Sequence, residues 1–375
     1  MSAALVLAVN PGAGSTKMGL FRGEALLAEH VERHAAAELS TFARVADQLP
    51  LRARCLRAFL EGAGSKLGSN GTGLTGAGLD RAGAGPGALD AVVGRGGLLR
   101  PMGSGTWLVC EAMLQDAERA ERGEHAANLG APLAHAIASE HGCPAFVVDP
   151  VSVDELDEVA RFSGLAGVPR RSLCHALNMR AVALRHASLA ARPLERMRLV
   201  VAHLGTGASL CALRGGRMVD IVNPQDEGPF SGDRAGGVPA TALVDLCFAP
   251  GADPRSVKKR LFGDGGLFSY LGTRDVREAS ERAERGDGAA LAVLEAMAYQ
   301  VAKAVGEMAV VLCGEVEAVL LTGGAAHLVP LVATVRRRVE WIAPVSVYPG
   351  EDELAALAAG ARRVLSGEEE AHRYG

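Results

Sequence analysis

Chemistry in this chain is first suggested by a glycine-rich loop at residues 10–17, which reads Asn-Pro-Gly-Ala-Gly-Ser-Thr-Lys between two apolar runs. Unpaired backbone N–H groups, hydroxyls and an ammonium group can bind an anion here, and glycines let it approach the backbone. The residues concerned are Asn10, Gly12, Gly14, Ser15, Thr16 and Lys17. Because an apolar strand follows instead of a helix, the loop is not a Walker P-loop. The pattern predicts a phosphate-binding hairpin loop, with an ordinary turn as the alternative.

The same arrangement recurs in the second half of the chain. Residues 203–209, His-Leu-Gly-Thr-Gly-Ala-Ser, cap an apolar strand and contain Gly205 and Gly207. In both halves the order is strand, small-residue loop, strand, glycine turn and strand, a pattern that indicates a duplicated domain. A third loop, with Gly323 and Gly324, joins a strand to a helical pattern and could lie against a phosphate or a flat ligand. Together the three loops predict a nucleotide site.

Two charged residues lie at predicted strand ends. Arg95 stands within Gly-Arg-Gly-Gly, where its guanidinium could meet an anion or be an ordinary surface group. Asp149 follows the strand predicted at 145–148, at the sheet edge where open α/β sheets bind ligands. Both positions are therefore candidates for a site.

The elements that must position these residues follow from the spacing of apolar residues. Strands are predicted at 5–9, 18–21, 25–30, 89–93, 145–148, 199–202, 210–213, 218–222 and 319–321, and helices at about 40–60, 111–120, 124–141, 170–190 and 325–339. The helix at 170–190 carries His175 and Asn178. The acidic segment 152–158 is predicted as the first turns of a helix facing water. Residues 62–87, rich in glycine and alanine, are predicted as a helix end plus a flexible surface insertion.

Length and composition restrict the class of protein. The 375 residues suffice for two domains, which we place at 1–170 and 171–353, with a helix at 354–375 returning to the first domain. The net charge is −4, and no cluster of basic and aromatic residues favours nucleic acid or a membrane as a partner. The 7 cysteines form no Cys-x-x-Cys pair, which argues against structural zinc. We read no apolar run as long enough to span a bilayer, and expect a cytoplasmic protein.

These motifs resemble the acetokinase family of acyl-phosphate-forming kinases over nearly the whole chain. The matching segments begin at Asn10 (NPGAGSTK), Ala91 (AVVGRGGLL), Gly123 (GEHAANLGAP), Pro144 (PAFVVDPVSVDE), His175 (HALN), Val201 (VAHLGTGAS), Glu227 (EGPFSGDRAGG), Leu320 (LLTGGAAH) and Val347 (VYPGEDELAALA). The resemblance implies an α/β fold of duplicated ribonuclease-H-like domains, of the actin-like ATPase (ASKHA) type, with an interdomain cleft. It also implies transfer of a phosphoryl group from ATP to a short fatty acid, giving ADP and an acyl phosphate, with Mg²⁺ as cofactor.

Within the family, the segments GRGGLL and FVVDPVSVDE favour butanoate over acetate as the acid. Two other functions stay open at this point. One is a kinase for acetate or propionate, and the other is an actin-like nucleotide switch with no metabolic substrate. A nucleotide switch would not require the side chains of four residues, which therefore argue against it: Arg95, Arg234, His175 and His203. We expect small-molecule partners, a carboxylic acid and a nucleotide, and a homodimer or higher homo-oligomer.

The resemblance also assigns catalytic roles. A carboxylic acid is already an anion at pH 7, so the reaction requires cations and hydrogen-bond donors instead of a base. Arg234 and Arg95 would neutralise carboxylate and phosphoryl oxygens. His203 and His175 would donate hydrogen bonds to the phosphoryl group, and Asp149 completes the expected catalytic set.

Metal and nucleotide ligands are implied in the same way. Mg²⁺ takes few protein carboxylates, and Asp149 and Glu353 are expected to hold it, with Asp352 as a competitor that spacing cannot separate from Glu353. The residues expected to bind the nucleotide are Asn10, Gly12, Ser15, Thr16, Lys17, Gly205, Gly207, Gly323 and Gly324.

Overall fold

The computed structural model describes residues 3–69 and 88–375, and the chain divides into two compact units. Unit 1 consists of Met1–Val153 together with Asp352–Gly375, and unit 2 is Asp154–Glu351. Unit 1 is therefore formed by two separate stretches of sequence, whereas unit 2 is continuous.

Both units contain strands and helices, and each has three consecutive strands, β1–β3 in unit 1 and β7–β9 in unit 2. The strands are β1 (Leu5–Pro11), β2 (Ser15–Arg22), β3 (Ala25–Arg33), β4 (Ala91–Arg95), β5 (Thr106–Leu108), β6 (Ala145–Val148), β7 (Arg198–Leu204), β8 (Ala208–Arg214), β9 (Arg217–Val222), β10 (Ala318–Gly323), β11 (Val345–Pro349) and β12 (His372–Arg373). The α-helices are α1 (Ala36–Leu39), α2 (Leu49–Ser69), α3 (Glu111–Arg119), α4 (Gly130–His141), α5 (Ala176–Leu189), α6 (Ala240–Phe248), α7 (Pro254–Leu261), α8 (Gly266–Leu271), α9 (Val276–Glu284), α10 (Gly288–Val311), α11 (Val329–Val339) and α12 (Glu353–Ser366).

The sheet of unit 1 has the strand order β12-β5-β6-β4-β1-β2-β3. β1, β4 and β6 are parallel neighbours, and β2 and β3 extend the sheet as an antiparallel meander. Helices α4 and α12 pack against the parallel strands, which accounts for the burial of every residue of β1 and β6. The backbone of α4 touches that of β4 where Gly94 meets Gly130, and a Cβ at either position would overlap the other strand or helix.

The sheet of unit 2 has the order β11-β10-β7-β8-β9. Its five strands match β6-β4-β1-β2-β3 of unit 1 in order and direction, with three parallel strands followed by an antiparallel meander. The duplicated pattern of strand, loop, strand, turn and strand predicted from the sequence is therefore confirmed.

Helix α10 forms much of the core of unit 2. In the described part of the chain, it is the one helix long and apolar enough to cross a membrane. Its residues Met297, Val301, Val305 and Met308 are buried in the core, and it packs against β7, β8 and β9. We interpret it as the core helix of the unit. The apolar pattern of the sequence did not predict a helix of this length.

The observed boundary between the units differs from the predicted one at residue 170. Residues 154–170 belong to unit 2, because the Glu155 carboxylate accepts a hydrogen bond from the Met218 N–H at 2.8 Å and the Asp157 N–H donates to the Val219 carbonyl at 2.9 Å. Arg170 forms ion pairs at 2.9 Å with Asp220 and with Glu227.

Several element boundaries differ from those predicted. Helix α5 starts at Ala176 instead of residue 170, and the predicted acidic helix near 152–158 is absent from this described stretch, where only a 3₁₀ turn at Glu158–Arg161 forms. Helix α2 begins later than predicted and runs on to Ser69. The rest of the predicted insertion, residues 70–87, lies outside the described residues.

Candidate active site

Three polar side chains lie at the carboxyl ends of neighbouring parallel strands in unit 1. Val9 pairs with Gly94, and Arg95 pairs with Val148, so Asn10, Arg95 and Asp149 come next to one another along this edge of the sheet. Asn10 and Asp149 are buried, and Arg95 is partly exposed. The strand-end position predicted for Arg95 and Asp149 is observed.

The first residue of helix α12 joins this edge. Glu353 Oε1 lies 2.7 Å from Arg95 Nη1, and Glu353 Oε2 accepts a hydrogen bond from Asn10 Nδ2. Asp352 instead is exposed and caps α12, with its Oδ1 accepting from the Ala355 N–H at 3.2 Å. The structure thus distinguishes the positions of the two adjacent acids, which spacing in the sequence could not do. Glu353 contacts Asn10 and Arg95, whereas Asp352 caps the helix.

The oxygen atoms at this edge are of the kind that Mg²⁺ prefers. Asn10 Oδ1 is buried and has no hydrogen-bond partner within the described residues, and the carboxylates of Asp149 and Glu353 are hard oxygen donors. Asp149 adopts a left-handed backbone conformation, φ 40°, and its Oδ1 accepts from the Gly105 N–H at 2.7 Å. Residues 3–69 and 88–375 contain no group of three or more His, Cys, Asp or Glu side chains that could hold a metal ion. A metal here would take most of its ligands from water and a bound nucleotide.

The loop at residues 10–17 is held from inside by a buried arginine. Arg52 is 0% exposed, and its Nη1 donates to the carbonyls of Gly12 at 3.0 Å and Ser15 at 2.8 Å, and to Thr16 Oγ1 at 3.0 Å. Thr16 is also fully buried, and its hydroxyl is 2.9 Å from His34 Nε2. The Thr16 hydroxyl therefore supports the loop from inside, through Arg52 and His34.

Arg52 is not among the site residues predicted from the sequence, although a signal is present. Its position falls on the apolar stripe of α2 that includes Leu49, Ala53, Leu56 and Leu60, where a charged residue is unexpected. Around the loop, Gly14 and Lys17 are exposed, and Gly12 and Ser15 are partly exposed.

The glycines beside Arg95 serve packing. A Cβ at Gly96 would overlap Pro150, and a Cβ at Gly97 would overlap Asn128, whose Oδ1 accepts from the Leu98 N–H at 2.8 Å. Both glycines therefore allow a close approach between the loop that follows β4 and the segments containing Asn128 and Pro150.

In unit 2, two predicted catalytic histidines lie together. The imidazole rings of His175 and His203 are stacked, with centroids 3.9 Å apart and planes at 13°. His175 Nδ1 is 2.8 Å from Ser209 Oγ. His203 lies in β7 opposite Thr322 of β10 and is 1% exposed. Its Nε2 is 3.2 Å from Glu351 Oε1 but has no hydrogen-bond partner in the described part of the structure.

Asn178, in the first turn of α5, connects these strands. Its Nδ2 is 2.8 Å from His203 Nδ1 and 3.1 Å from Thr322 Oγ1. Asn178 is predicted on the same helix as His175 but is not among the predicted site residues. Its position three residues after His175 is the signal that could have shown that both side chains point the same way.

Arg234 lies against the glycine loop of unit 2. A Cβ at Gly207 would come within 2.6 Å of Arg234 Nη1, and a Cβ at Gly205 would come within 2.7 Å of His203 Nε2. Burial lowers the pKa of the Arg234 guanidinium, and Asp233, 4.0 Å away, opposes this shift. Among the described residues its guanidinium makes no hydrogen bond, so a bound anion would compensate a partly desolvated cation.

The two glycines at the end of β10 differ. Gly323 has φ +90°, and a Cβ there would lie 2.5 Å from the Leu204 carbonyl oxygen. Gly324 is exposed, and a Cβ there would meet no protein atom within 4 Å. Only Gly324 therefore leaves open space beside the loop.

The family model described as the Acetokinase family matches residues 165–366. A protein named probable butyrate kinase from Coprothermobacter proteolyticus is 46% identical over 371 residues, which cover 98% of this chain and 99% of that protein. The chain belongs to the acetokinase family. Butyrate kinase 1 from Clostridium acetobutylicum is 42% identical over 370 residues, 98% of this chain and 99% of the relative. The family predicted from the sequence motifs is confirmed.

Among solved structures, this acetokinase-family chain is similar to acetate kinase from Porphyromonas gingivalis. The TM-score is 0.73 and the sequence identity 20%, with 97% of this chain and 100% of that chain covered. At this identity the likeness concerns the fold alone. The predicted α/β fold of the duplicated actin-like (ASKHA) type is confirmed.

Proposed function

We propose that this acetokinase-family chain is a short-chain fatty-acid kinase that catalyses the reversible reaction of ATP and butanoate to give ADP and butanoyl phosphate. The observation that carries the proposal is the 46% and 42% identity, over nearly the full length, to two proteins named butyrate kinases. The reaction is an in-line phosphoryl transfer with a carboxylate oxygen as the nucleophile.

The chemistry of the reactants agrees with the side chains present. The carboxylate needs no base, and the main barrier is repulsion between two anions. In unit 1, Glu353 fixes the guanidinium of Arg95 at the sheet edge. In unit 2, the guanidinium of Arg234 is partly desolvated, so it attracts an anionic oxygen more strongly than a solvated arginine would. We assign to both arginines the neutralisation of carboxylate and phosphoryl oxygens.

The stacked histidines supply hydrogen-bond donors. His203 Nε2 is buried without a hydrogen-bond partner in the described residues, so a phosphoryl oxygen would supply the acceptor it lacks. His175 stacks on the same ring and stays oriented through Ser209. Donors that are fixed before the reaction lower its barrier because they need no reorganisation as charge spreads over the phosphoryl oxygens.

For the nucleotide, we propose contacts at Gly324 and along the loop glycines Gly205 and Gly207, with Lys17 and Asn10 directed to the donor phosphates. The open space at Gly324 supports this assignment. Thr16 is left out of the set because its hydroxyl is buried and bonded to Arg52.

We propose Asp149 and Glu353 as the protein carboxylates for Mg²⁺, with Asn10 Oδ1 beside them. Both oxygens of Glu353 already have one partner, and each retains a further lone pair. When bound, Mg²⁺ neutralises charge on the donor phosphates. The residues themselves orient one another: Glu353 holds both Asn10 and Arg95, and Gly105 holds Asp149.

We further propose a cytoplasmic homodimer or higher homo-oligomer. Helix α6 is apolar, yet none of its nine residues is buried, and Phe248 is 84% exposed. Covering such a helix with a second copy of the chain would remove apolar surface from water. Light scattering on wild type and on Phe248→Ser tests this, and a monomeric wild type would contradict it.

The function is tested with a series of acids. Initial rates of acyl-phosphate formation, trapped as hydroxamate, are measured with Mg-ATP and straight or branched acids of two to six carbons. One methylene in an apolar pocket is worth about 1 to 3 kcal/mol, or roughly 10- to 200-fold in kcat/KM. We expect a broad profile with its maximum near four carbons.

A profile that is highest at acetate would contradict the assignment to butanoate and leave the kinase class standing. ADP release that does not depend on any acid would contradict the kinase class. Butanamide serves as the control, because it matches butanoate in size and lacks the nucleophilic carboxylate.

A further inference from the structure

We infer that Asn178 and Thr322 fix the tautomer of His203, so that the imidazole carries its proton on Nε2 and presents a hydrogen-bond donor at that atom. The consequence for catalysis rests on the proposed function. The tautomer itself follows from counting protons among four groups in unit 2: Gly350, Thr322, Asn178 and His203.

One end of this chain of hydrogen bonds is a backbone carbonyl. Thr322 Oγ1 lies 3.2 Å from the Gly350 carbonyl oxygen, which can only accept, so the single hydroxyl proton of Thr322 is donated there. Thr322 Oγ1 must then accept from its other neighbour, Asn178, at 3.1 Å. Of the two amide atoms only the nitrogen can donate, so the atom of Asn178 that faces Thr322 is Nδ2.

The same nitrogen determines the state of the histidine. Asn178 Nδ2 is 2.8 Å from His203 Nδ1, and an amide nitrogen has two protons and no acceptor capacity. His203 Nδ1 must therefore accept, which leaves a neutral ring with its proton on Nε2. Hydrogen bonds are thus donated outward from Asn178, to the ring on one side and through Thr322 to Gly350 on the other.

The protonated atom faces the side where a ligand would be expected. Nε2 is buried without a hydrogen-bond partner in the described residues, although Glu351 Oε1 is 3.2 Å away. The absent side chain of Gly205 leaves room there, since a Cβ would lie 2.7 Å from Nε2. An anionic phosphoryl oxygen next to Nε2 would accept a hydrogen bond, whereas the other tautomer would meet it with a lone pair. Asn178 is thus a positioning residue that acts through His203.

The test combines a spectrum with kinetics. In protein labelled with ¹⁵N-histidine and free of substrates, long-range ¹H–¹⁵N spectra distinguish protonated from unprotonated ring nitrogens, and His203→Gln identifies the signals. We expect Nε2 to be protonated and Nδ1 unprotonated in the wild type. Asn178→Asp replaces the donor by an acceptor, so Nδ1 should become protonated. Turnover should then fall by about 10²- to 10³-fold, the usual effect of losing one oxyanion donor, with little change in KM.

Two further variants keep the inference falsifiable if Asn178→Asp does not fold. Thr322→Val removes the hydroxyl that orients the amide and should mix the two tautomers, whereas Thr322→Ser keeps the hydroxyl and should keep the wild-type spectrum. A wild-type His203 protonated at Nδ1, or an unchanged spectrum in Asn178→Asp, would overturn the inference. The expected spectrum in a protein that phosphorylates no acid would support the tautomer and contradict the proposed function instead.

Discussion

Two adjacent glycines, Gly323 and Gly324, allow one added methyl group to test both the fold and the nucleotide assignment. We predict opposite effects of Gly323→Ala and Gly324→Ala. At Gly323 the backbone has φ +90°, and the new Cβ would lie 2.5 Å from the Leu204 carbonyl oxygen. At Gly324 the new Cβ would meet no protein atom within 4 Å, and the backbone is not left-handed.

The magnitudes follow from these two environments. A strained backbone conformation costs about 1 to 3 kcal/mol, and overpacking costs about 1 to 3 kcal/mol more. For a unit of this size, 1 kcal/mol shifts Tm by about 2 to 4 °C, so Gly323→Ala should lower Tm by roughly 4 to 24 °C. Gly324→Ala should instead raise stability by about 0.4 to 1 kcal/mol, because alanine restricts the unfolded chain.

Nucleotide binding separates the variants a second time. If a nucleotide lies against Gly324, the methyl group overlaps it and costs about 1 to 3 kcal/mol, which is roughly 5- to 150-fold in Kd. Thermal unfolding gives Tm, and calorimetric titration with Mg-ADP gives Kd. Gly288→Ala is the matched control, since Gly288 is an exposed helix-terminal glycine with no atom near its Cβ position. It should match Gly324→Ala in stability and keep the wild-type Kd.

Either of two results would refute the reasoning. A Gly323→Ala protein as stable as the wild type would show that β10 and β7 do not approach as described. A Gly324→Ala protein with wild-type Kd would remove Gly324 from the nucleotide site.

Three more predictions concern the site and its support. Arg234→Ala should lower turnover by about 10²- to 10³-fold with an unchanged Tm. The control Arg285→Ala, at an exposed arginine, should keep full activity. Near-normal turnover of Arg234→Ala would exclude Arg234 from the site. Glu353→Gln should raise the Mg²⁺ concentration needed for half-maximal rate by about 10-fold or more, while Asp352→Asn should leave that concentration unchanged; equal effects would contradict the assignment. Burial, followed by the charge of Arg52, lowers the pKa of His34 in the folded protein. As the pH falls, the unfolded chain therefore takes up the proton before the folded protein does. The stability that His34 contributes is complete above about pH 6.5 and is lost as the pH falls through the folded pKa. His34→Gln should flatten this acid-side loss in urea unfolding, and an identical pH profile in both proteins would refute it.

Much of the fold could be predicted from the sequence because the signals are local. The apolar runs around residues 10–17 and 203–209 predict the two meanders, and the strand before Asp149 was placed at its observed bounds. The division of contacts between Val153 and Asp154 has no local signal, because the bonds from Glu155 to Met218 and from Arg170 to Glu227 join residues distant in sequence.

The candidate site was predictable only as a set of residue types. Spacing could not separate Asp352 from Glu353, since the choice depends on how α12 meets β1 and β4. The buried position of Arg52 depends on carbonyl groups of Gly12 and Ser15 that turn inward only after the loop has folded. Asn178 acquires its role from a histidine on another element.

The discontinuous sequence of unit 1 has a consequence for the order in which the protein can be completed during synthesis. Unit 2, residues 154–351, is one continuous stretch and is synthesised completely before the second stretch of unit 1, Asp352–Gly375. At about 5 to 20 residues per second, the interval between the synthesis of Val153 and that of Gly375 is roughly 10 to 40 s. Until then β1 and β4 lack the cover of α12 and Arg95 lacks its partner Glu353, so this later stretch both completes the core of unit 1 and orients its arginine.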